Sequence, residues 1–423
     1  MRVRRLNTEL LLFVLLIAGF LIHSFTIKLG INLKFWQVAI LFSAMMILIK
    51  QKNIFSFTKY DKSIIIFVFL FMISMLISSI NSIYDIDSIK FFIYLFMTII
   101  FSLLFIFCSS RFIDNFNRYL KVYIVVISIA LLGYLYVYIF VDINTFIGDF
   151  KQIDSRKDLV NSVYTFVFPE YGGLFMRFNG YNLDPNVWGV YALVSFWLLV
   201  LFKTISEKRD KEFSSKLYKI ALVLSIFSII LTFSRGTYLS FLLSVGLYVV
   251  LSLRVKNIVY LATTILVIVL TLIYLYSSID EFKYAVDLKL FNSAIKMHNP
   301  RIEKWIFYTN HIYNSNVFRI LFGFGLIDLF DWYYGTTMHN TYIQIFASVG
   351  LLGFGVFIGF ILFSILVILN KYIAKITSIQ IALLSSVVAS VFFVDMLYSP
   401  ALWIGIIIPF YTQKLLQGHN YAK

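Results

Sequence analysis

The sequence predicts an all-α polytopic integral membrane protein with about 12 transmembrane helices. The first observation is composition: 61% of the 423 residues are hydrophobic and only 13% are charged, whereas soluble domains carry about 25% charged residues. The second is that the apolar residues form runs long enough to cross a hydrocarbon core about 30 Å thick. The third is the placement of Lys and Arg between those runs. We therefore expect a single membrane domain over residues 1–423.

Twelve apolar runs are candidate spans. They cover residues 8–26, 34–49, 63–83, 89–108, 122–141, 186–202, 217–233, 237–253, 258–276, 340–369, 379–394 and 398–413. A single helix over residues 217–253 would be about 55 Å long, far more than a bilayer core of about 30 Å requires. The chain is therefore expected to break there, at Ser234-Arg235-Gly236.

The basic residues predict the orientation of these spans. With a cytoplasmic N-terminus, the segments on the inside hold 22 of the 36 Lys and Arg residues. The short outer connections hold only Lys28, Lys34, Lys90 and Arg235, as the positive-inside rule requires. Both termini are therefore predicted to be cytoplasmic. The net charge of +15 is mostly a topology signal, so no nucleic-acid partner is expected.

Two long outer loops interrupt the spans, at residues 142–185 and 277–338. In the second loop, apolar residues at helical spacing over residues 301–320 predict an amphipathic helix. We therefore expect short helices in these loops. The one cysteine, Cys108, excludes an intrachain disulfide and any cysteine-based metal site.

Two arginines lie next to predicted helix starts on the outer side. In M-R-F-N-G-Y-N-L-D-P-N, residues 176–186, Asp184 suits an N-cap and Pro185 the first helical position. A helix N-terminus attracts anions, and Arg177 shortly precedes this one. Arg235 lies in L-T-F-S-R-G-T, residues 231–237, where it needs an anionic partner, carbonyl groups or water. The alternatives are a simple capped helix and a snorkelling arginine.

Two further features belong to the second outer loop and the span after it. Arg301 and Trp305 are one helical turn apart, and L-F-G-F-G at residues 321–325 indicates a tight turn or a close backbone approach. His339 and Asn340 open a glycine-rich apolar run, which we expect to be helical with His339 on the same face as Tyr342. Histidine exchanges protons near neutral pH. The alternative is an interfacial histidine that caps a helix.

Together these features place three arginines and one histidine on the outer side of a hydrophobic bundle. Arginine forks suit phosphate oxygens, and a neighbouring histidine can accept a proton from a hydroxyl group. The combination favours chemistry on a lipid-linked phosphate. Asp85-Ile86-Asp87 is too short a match to predict a metal site, and His298 and His311 lack paired-ligand spacing. No metal and no cofactor are expected.

At these residues the chain resembles the O-antigen polymerase and O-antigen ligase superfamily of bacterial membrane proteins. The matches are R-F-N-G-Y-N-L-D-P-N, L-T-F-S-R-G, R-x-x-x-W followed by L-F-G-F-G, and H-N-x(9)-G. They occur in family order and cover roughly residues 175–370. Before residue 175 only the pattern of spans is similar.

The resemblance implies a GT-C-like glycosyltransferase that is inverting and metal-independent. Its donor would be a glycan on undecaprenyl diphosphate, and its acceptor a sugar hydroxyl of another lipid-linked repeat unit. By similarity, the catalytic residues are His339, Arg235 and Arg177, with His339 as base or orienter. The expected substrate-binding residues are Arg301, Asn340, Asp184, Asn186, Trp305 and Tyr342.

The motifs are shared within the superfamily, so two activities stay open. One is an O-antigen or surface polysaccharide polymerase, which is our prediction, and the other is a ligase that transfers glycan to lipid A-core. A third alternative is a flippase or polysaccharide transporter, which mid-membrane charges would favour; the predicted spans hold almost none. The expected location is the bacterial inner membrane, with the active site on the periplasmic side. Membrane lipids and a chain-length regulator protein are further expected partners.

Overall fold

A computed structural model describes most of the predicted membrane domain. The described residues are 8–21, 26–28, 32–34, 37–40, 59–80, 82, 85–141, 167–169, 176–181, 184–252, 270, 274, 276–278, 283, 300–325, 339–370 and 374–417. The predicted spans at 34–49 and 258–276 lie largely outside this set, as do most of the two long loops.

Helices dominate the described part of the chain. In chain order they are α1 (Thr8–Leu21), α2 (Lys59–Ile80), α3 (Asp85–Asp114), α4 (Phe116–Phe140), α5 (Pro185–Lys208), α6 (Ser215–Ile230), α7 (Arg235–Ser252), α8 (Pro300–Tyr313), α9 (Val317–Phe322), α10 (Thr341–Asn370), α11 (Ala374–Ser390) and α12 (Pro400–Gln417). By length and composition, six helices of the described set can cross a membrane, namely α2, α3, α4, α5, α7 and α10. These apolar helices confirm the prediction of a helical membrane-embedded protein.

The predicted break within residues 217–253 is confirmed. Helix α6 ends at Ile230 and α7 begins at Arg235. Between them Phe233 adopts a left-handed backbone conformation, with φ of 46°, which an α-helix cannot contain. The turn places Arg235 at the first position of α7.

Two short antiparallel hairpins were not predicted. Strand β1 (Thr26–Lys28) pairs with β2 (Asn32–Lys34), and β3 (Val167–Pro169) pairs with β4 (Met176–Phe178). In the second hairpin Phe168 lies opposite Arg177. The described part of the 142–185 loop therefore differs from the expected short helices, because its aromatic and β-branched residues favour an extended pair.

Helix α5 lies at the centre of the described bundle. It packs against α6, α11 and α12, and its Trp188 and Trp197 side chains are buried. Helix α7, in contrast, leaves Leu239, Leu242 and Leu243 about half exposed. A membrane helix with one apolar exposed face is expected where hydrocarbon replaces protein as the packing partner.

Contacts place several helix ends together at one end of the described bundle. Arg177 joins the turn after α6 to the start of α5, Ser78 near the end of α2 bonds to the first part of α10, and Thr341 at the start of α10 bonds to the residue after α11. We call this the site end, because the residues singled out by the sequence motifs gather there. At the opposite end Arg209 forms an ion pair with Asp114, N–O 3.0 Å, which joins the end of α5 to the end of α3.

Candidate functional site

Strand β4 positions Arg177 beside the turn between α6 and α7. The Phe178 N–H donates to the Leu231 carbonyl at 2.9 Å. The Arg177 Nε donates to the Thr232 carbonyl at 2.8 Å, and its Nη2 donates to Asn186 Oδ1 at 3.0 Å. The side chain is only 6% exposed. Arg177 is therefore a buried cation whose position is fixed from two sides.

Helix α5 begins as the sequence predicts, with Asp184 as N-cap and Pro185 as first residue. Asp184 Oδ1 accepts the backbone N–H of Asn186 at 2.7 Å and its side-chain Nδ2 at 2.9 Å. Asn186 in turn accepts from Arg177. A short relay of hydrogen bonds thus runs from the cap of α5 to the guanidinium group.

Arg235 occupies a different setting at the start of α7. Its side chain is exposed. The next residue, Gly236, lies so close to the segment after α11 that a Cβ on it would be 2.6 Å from the Cβ of Phe393. The small residue therefore lets α7 pack directly against Phe393, and this contact brings Arg235 next to the third arginine.

Arg301 projects from α8 toward the same segment. Its Nη1 lies 3.5 Å from the Phe393 carbonyl oxygen, a weak hydrogen bond. Burial lowers the pKa of Arg301, and repulsion from Arg235 and then from Arg177 lowers it further. Asp184 and Asp395 oppose this shift by attraction.

The three predicted arginines gather at one end of the bundle, although they come from β4, α7 and α8, which are distant in sequence. Arg177 bonds to the turn before α7, and both α7 and Arg301 contact Phe393. Arg301 is half-buried and is repelled by the other two arginines, and two nearby carboxylates offset only part of that cost. The arrangement is therefore suited to a ligand with more than one negative charge.

Asp395 fixes the backbone at His339. Its Oδ2 accepts the His339 N–H and its Oδ1 accepts the Asn340 N–H, both at 2.9 Å. His339 has φ of 54°, a conformation that histidine tolerates better than most residues. The carboxylate also faces the positive end of α10, which stabilises it there.

Asn340 caps α10. Its side-chain oxygen accepts from the N–H of Tyr342 at 3.0 Å and of Ile343 at 3.2 Å. His339 therefore precedes the helix and has left-handed backbone angles, so the expectation that it shares a helical face with Tyr342 is wrong. The interfacial-cap alternative for His339 does not hold either, because Asn340 and Asp395 supply the capping contacts.

Thr341 locks the start of α10 to the segment that carries Asp395. Its N–H donates to the Val391 carbonyl at 2.9 Å, and its Oγ1 donates to the Val394 carbonyl at 2.7 Å. The same oxygen accepts the Met396 N–H at 2.8 Å. These three hydrogen bonds, one from the backbone and two at the buried hydroxyl of Thr341, fix the segment on both sides of Asp395.

The two aromatic residues of the predicted site make different contacts. The Tyr342 hydroxyl donates to the Val388 carbonyl at 2.8 Å, and its ring lies 4.5 Å from that of Phe392. These contacts brace α10 against α11. Trp305 is half-buried on α8, one turn beyond Arg301.

The two glycine motifs interlock. Helix α10 kinks at Gly350, with φ of 65° and ψ of −170°, so the carbonyls of Ala347 and Ser348 are available to other donors. The Phe324 N–H donates to Ala347 at 2.9 Å and the Gly325 N–H to Ser348 at 3.1 Å. The L-F-G-F-G loop thus holds the far end of the short helical piece that His339 precedes.

Ser78 of α2 connects this loop to the bundle, and sequence reasoning missed it. Its Oγ accepts the Gly325 N–H at 2.9 Å and donates to the Ser348 carbonyl. Ser74, Ser78, Ser79 and Ser82 recur along an otherwise apolar helix. Such buried hydroxyls in a span commonly bond across helices, and that was the available signal.

Asp395 was also missed. It is the one acidic residue within V-F-F-V-D-M-L-Y-S-P, residues 391–400, between two predicted spans. A lone acid in an apolar stretch is costly and needs partners, so it was a detectable candidate. It accepts hydrogen bonds from the backbone N–H groups of His339 and Asn340, and no sequence motif predicts such contacts.

The side chains of Asp85 and Asp87, and all of His298, lie outside the described set. Among the residues that are described, no group of three or more His, Cys, Asp or Glu side chains is placed to hold a metal ion. No protein-family model matches the chain, and no curated protein matches it. The site's own geometry is the basis for the function proposed next.

Proposed function

We propose that this protein is an O-antigen or related surface polysaccharide polymerase of the bacterial inner membrane. It transfers a glycan from undecaprenyl diphosphate to a sugar hydroxyl of another lipid-linked repeat unit at the periplasmic face. The observation that carries the proposal is the gathering of Arg177, Arg235 and Arg301 at one end of an apolar bundle, where Arg177 bonds to the turn before α7 and both α7 and Arg301 contact Phe393. The motif resemblance supports the same substrate class.

A diphosphate leaving group complements these arginines. Each guanidinium presents paired N–H donors to phosphate oxygens. Arg301 is half-buried and repelled by two cations, so an anion between them relieves both penalties. Donors fixed before the reaction stabilise developing charge without reorganisation, and Arg177 is fixed by Thr232 and Asn186.

His339 provides the proton chemistry in this proposal. The acceptor hydroxyl oxygen attacks the anomeric carbon, and the bond from that carbon to the diphosphate oxygen breaks with inversion. The diphosphate leaves with the bonding electrons, and the hydroxyl proton passes to the neutral imidazole of His339. Asp395 holds the backbone at His339.

The charge of the two long loops favours a polymerase over a ligase. The 277–338 loop carries six basic and six acidic residues, and the 142–185 loop has a net charge of −2. Such loops give little long-range attraction for the polyanionic lipid A-core that a ligase must receive. A second undecaprenyl-linked unit, whose charge lies near the membrane, suits them better.

Deletion and reconstitution test this proposal. Deletion should leave lipid A-core carrying at most one repeat unit. Long glycan accumulating on undecaprenyl diphosphate, with bare core, would identify a ligase instead. Purified protein in liposomes should extend a lipid-linked repeat unit into polymer in the presence of a chelator. Repeat units that stay on the cytoplasmic face of the deletion strain would indicate a transporter.

Three arginine variants refine the reconstitution. Arg235→Ala should abolish turnover, while Arg118→Ala, which removes an exposed arginine at the opposite end of the bundle, should not change it. Arg235→Lys should rescue poorly because a point charge cannot form a fork. Wild-type turnover by Arg235→Ala would contradict the assigned diphosphate site.

A further inference from the structure

Helix α8 has three distinct faces. Its buried face carries Tyr308 and Ile312, which pack with Ala347 of α10 and Phe324. Its polar exposed face carries Glu303 and Asn310. A third face is apolar and yet exposed: Ile302 is 49% exposed, Ile306 54% and Tyr313 82%.

The apolar face is a coherent flank rather than scattered residues. At 3.6 residues per turn, Ile302, Ile306 and Tyr313 fall within about 40° of one another around α8. The flank is centred about 120° from the buried face and about 70° from the polar face. We call these three residues the apolar flank of α8.

We propose that the apolar flank of α8 is inserted among the lipid chains of the bilayer, so that α8 is an interfacial helix that carries Arg301 at headgroup level. The occupant we assign is bilayer hydrocarbon, not a protein partner. A helix with one apolar face, one polar face and aromatic residues at its margins is typical of that location. Trp305 lies between the flank and the buried face.

The neighbouring elements continue the exposed apolar surface. Helix α9 packs on α10 and on α2, and its Val317 and Phe318 are 71% and 43% exposed. At the site end of α2, Ile80 is 60% exposed. Helix α8 packs on α9 and on the membrane-crossing α10, and α10 itself leaves Leu351 and Leu352 about half exposed. Exposed apolar side chains on and beside a membrane-crossing helix are expected to face hydrocarbon.

Insertion of the flank has a consequence for Arg301. This residue follows the first residue of α8 and precedes Ile302, so the depth of the helix sets the depth of its guanidinium group. An arginine at headgroup level meets lipid phosphates and diphosphates without crossing the hydrocarbon. The inference concerns membrane position and does not require the proposed transferase activity.

Depth-dependent fluorescence quenching tests this inference. Cys108→Ala removes the one native cysteine, and Ile306→Cys or His311→Cys then places a single environment-sensitive label on the apolar flank or at an exposed polar position about 140° from Ile306 around the helix. In liposomes, lipids with a nitroxide near the headgroup should quench the Ile306→Cys label several-fold more than the His311→Cys label. Aqueous iodide should show the opposite order.

Matched controls keep the result interpretable. Both labelled proteins are compared by circular dichroism and by elution volume, so that only folded samples are scored. Equal quenching of the two labels by lipid, or stronger iodide quenching of the Ile306→Cys label, would overturn the inference. Because no turnover is measured, its failure is separate from failure of the proposed function.

Discussion

Gly323 and Gly350 pack backbone against backbone, with no room for a side chain on either. A Cβ on Gly350 would lie 2.4 Å from the Leu321 carbonyl carbon, and one on Gly323 would lie 2.6 Å from the Gly350 nitrogen. Both residues also have positive φ, 81° and 65°. The contact joins the L-F-G-F-G loop to the kink of α10, and so sets the far end of the helical piece that follows His339.

Gly350→Ala should therefore lower both stability and turnover. The left-handed backbone costs an alanine about 1–3 kcal/mol, and the methyl group must displace the Leu321 backbone. Gly355→Ala in the same helix is the control, because nothing lies within 4 Å of its Cβ position. It should be stabilising by about 0.5–1 kcal/mol. Thermal unfolding in detergent distinguishes them, and a Gly350→Ala protein as stable as wild type would refute the interlock.

Ser78→Ala should weaken the attachment of the glycine loop to α2. The change removes one of the two acceptors of the Gly325 N–H, which also donates to the Ser348 carbonyl, and it removes the donor from Ser78 to that carbonyl. The expected loss is about 1–3 kcal/mol. Ser74→Ala is the matched control, since that hydroxyl bonds only within its own helix, to Phe71 at 2.7 Å. Turnover and unfolding temperature should fall for Ser78→Ala alone; equal effects in both variants would count against a specific role.

Asp395→Asn should perturb the backbone at His339. The carboxylate uses a different oxygen for each of the two N–H groups, so in the same pose an amide would turn its NH2 donor toward one of them. It also removes a negative charge that attracts Arg301. We expect turnover to fall at least tenfold, which corresponds to about 1.4 kcal/mol in the barrier. Asp395→Ala should be worse, and a fully active Asp395→Asn protein would show that the carboxylate does not position His339.

His339→Asn is the sharpest test of the proposed base. Asparagine tolerates the positive φ of this position, so the backbone is kept while the imidazole is lost. Turnover should fall by about 10²–10⁴, the usual contribution of general base catalysis. Diphosphate binding and unfolding temperature should stay near wild type. If turnover were retained, or if diphosphate binding were lost together with turnover, His339 would have another role.

Arg301→Gln should separate stability from binding. The substitution relieves burial of a cation and its repulsion by Arg235 and Arg177, so the ligand-free protein should unfold at the same or a higher temperature. The rise in unfolding temperature that inorganic diphosphate gives the wild type should shrink. A variant that is destabilised without ligand yet still stabilised by diphosphate would show that Arg301 is structural.

Much of the site was predictable from local sequence. Asp184 and Pro185 define the start of α5, and the length of the 217–253 run requires the break before Arg235, because both depend only on neighbouring residues. The composition predicts a membrane protein, and the long uninterrupted apolar runs predict helices, because the strands of a membrane barrel alternate apolar and polar residues.

The tertiary structure decided which distant groups meet. Asp395 reaches His339 across 56 positions, Ser78 reaches Gly325 across 247, and β4 brings Arg177 to Thr232 across 55. These are side-chain contacts with backbone groups, whose partners depend on how the helices pack and leave no pattern in the sequence. The position of His339 could not be predicted for the same reason. Helical periodicity alone predicted that it lies within α10, whereas capping by Asn340 and the hydrogen bonds to Asp395 place it before the helix.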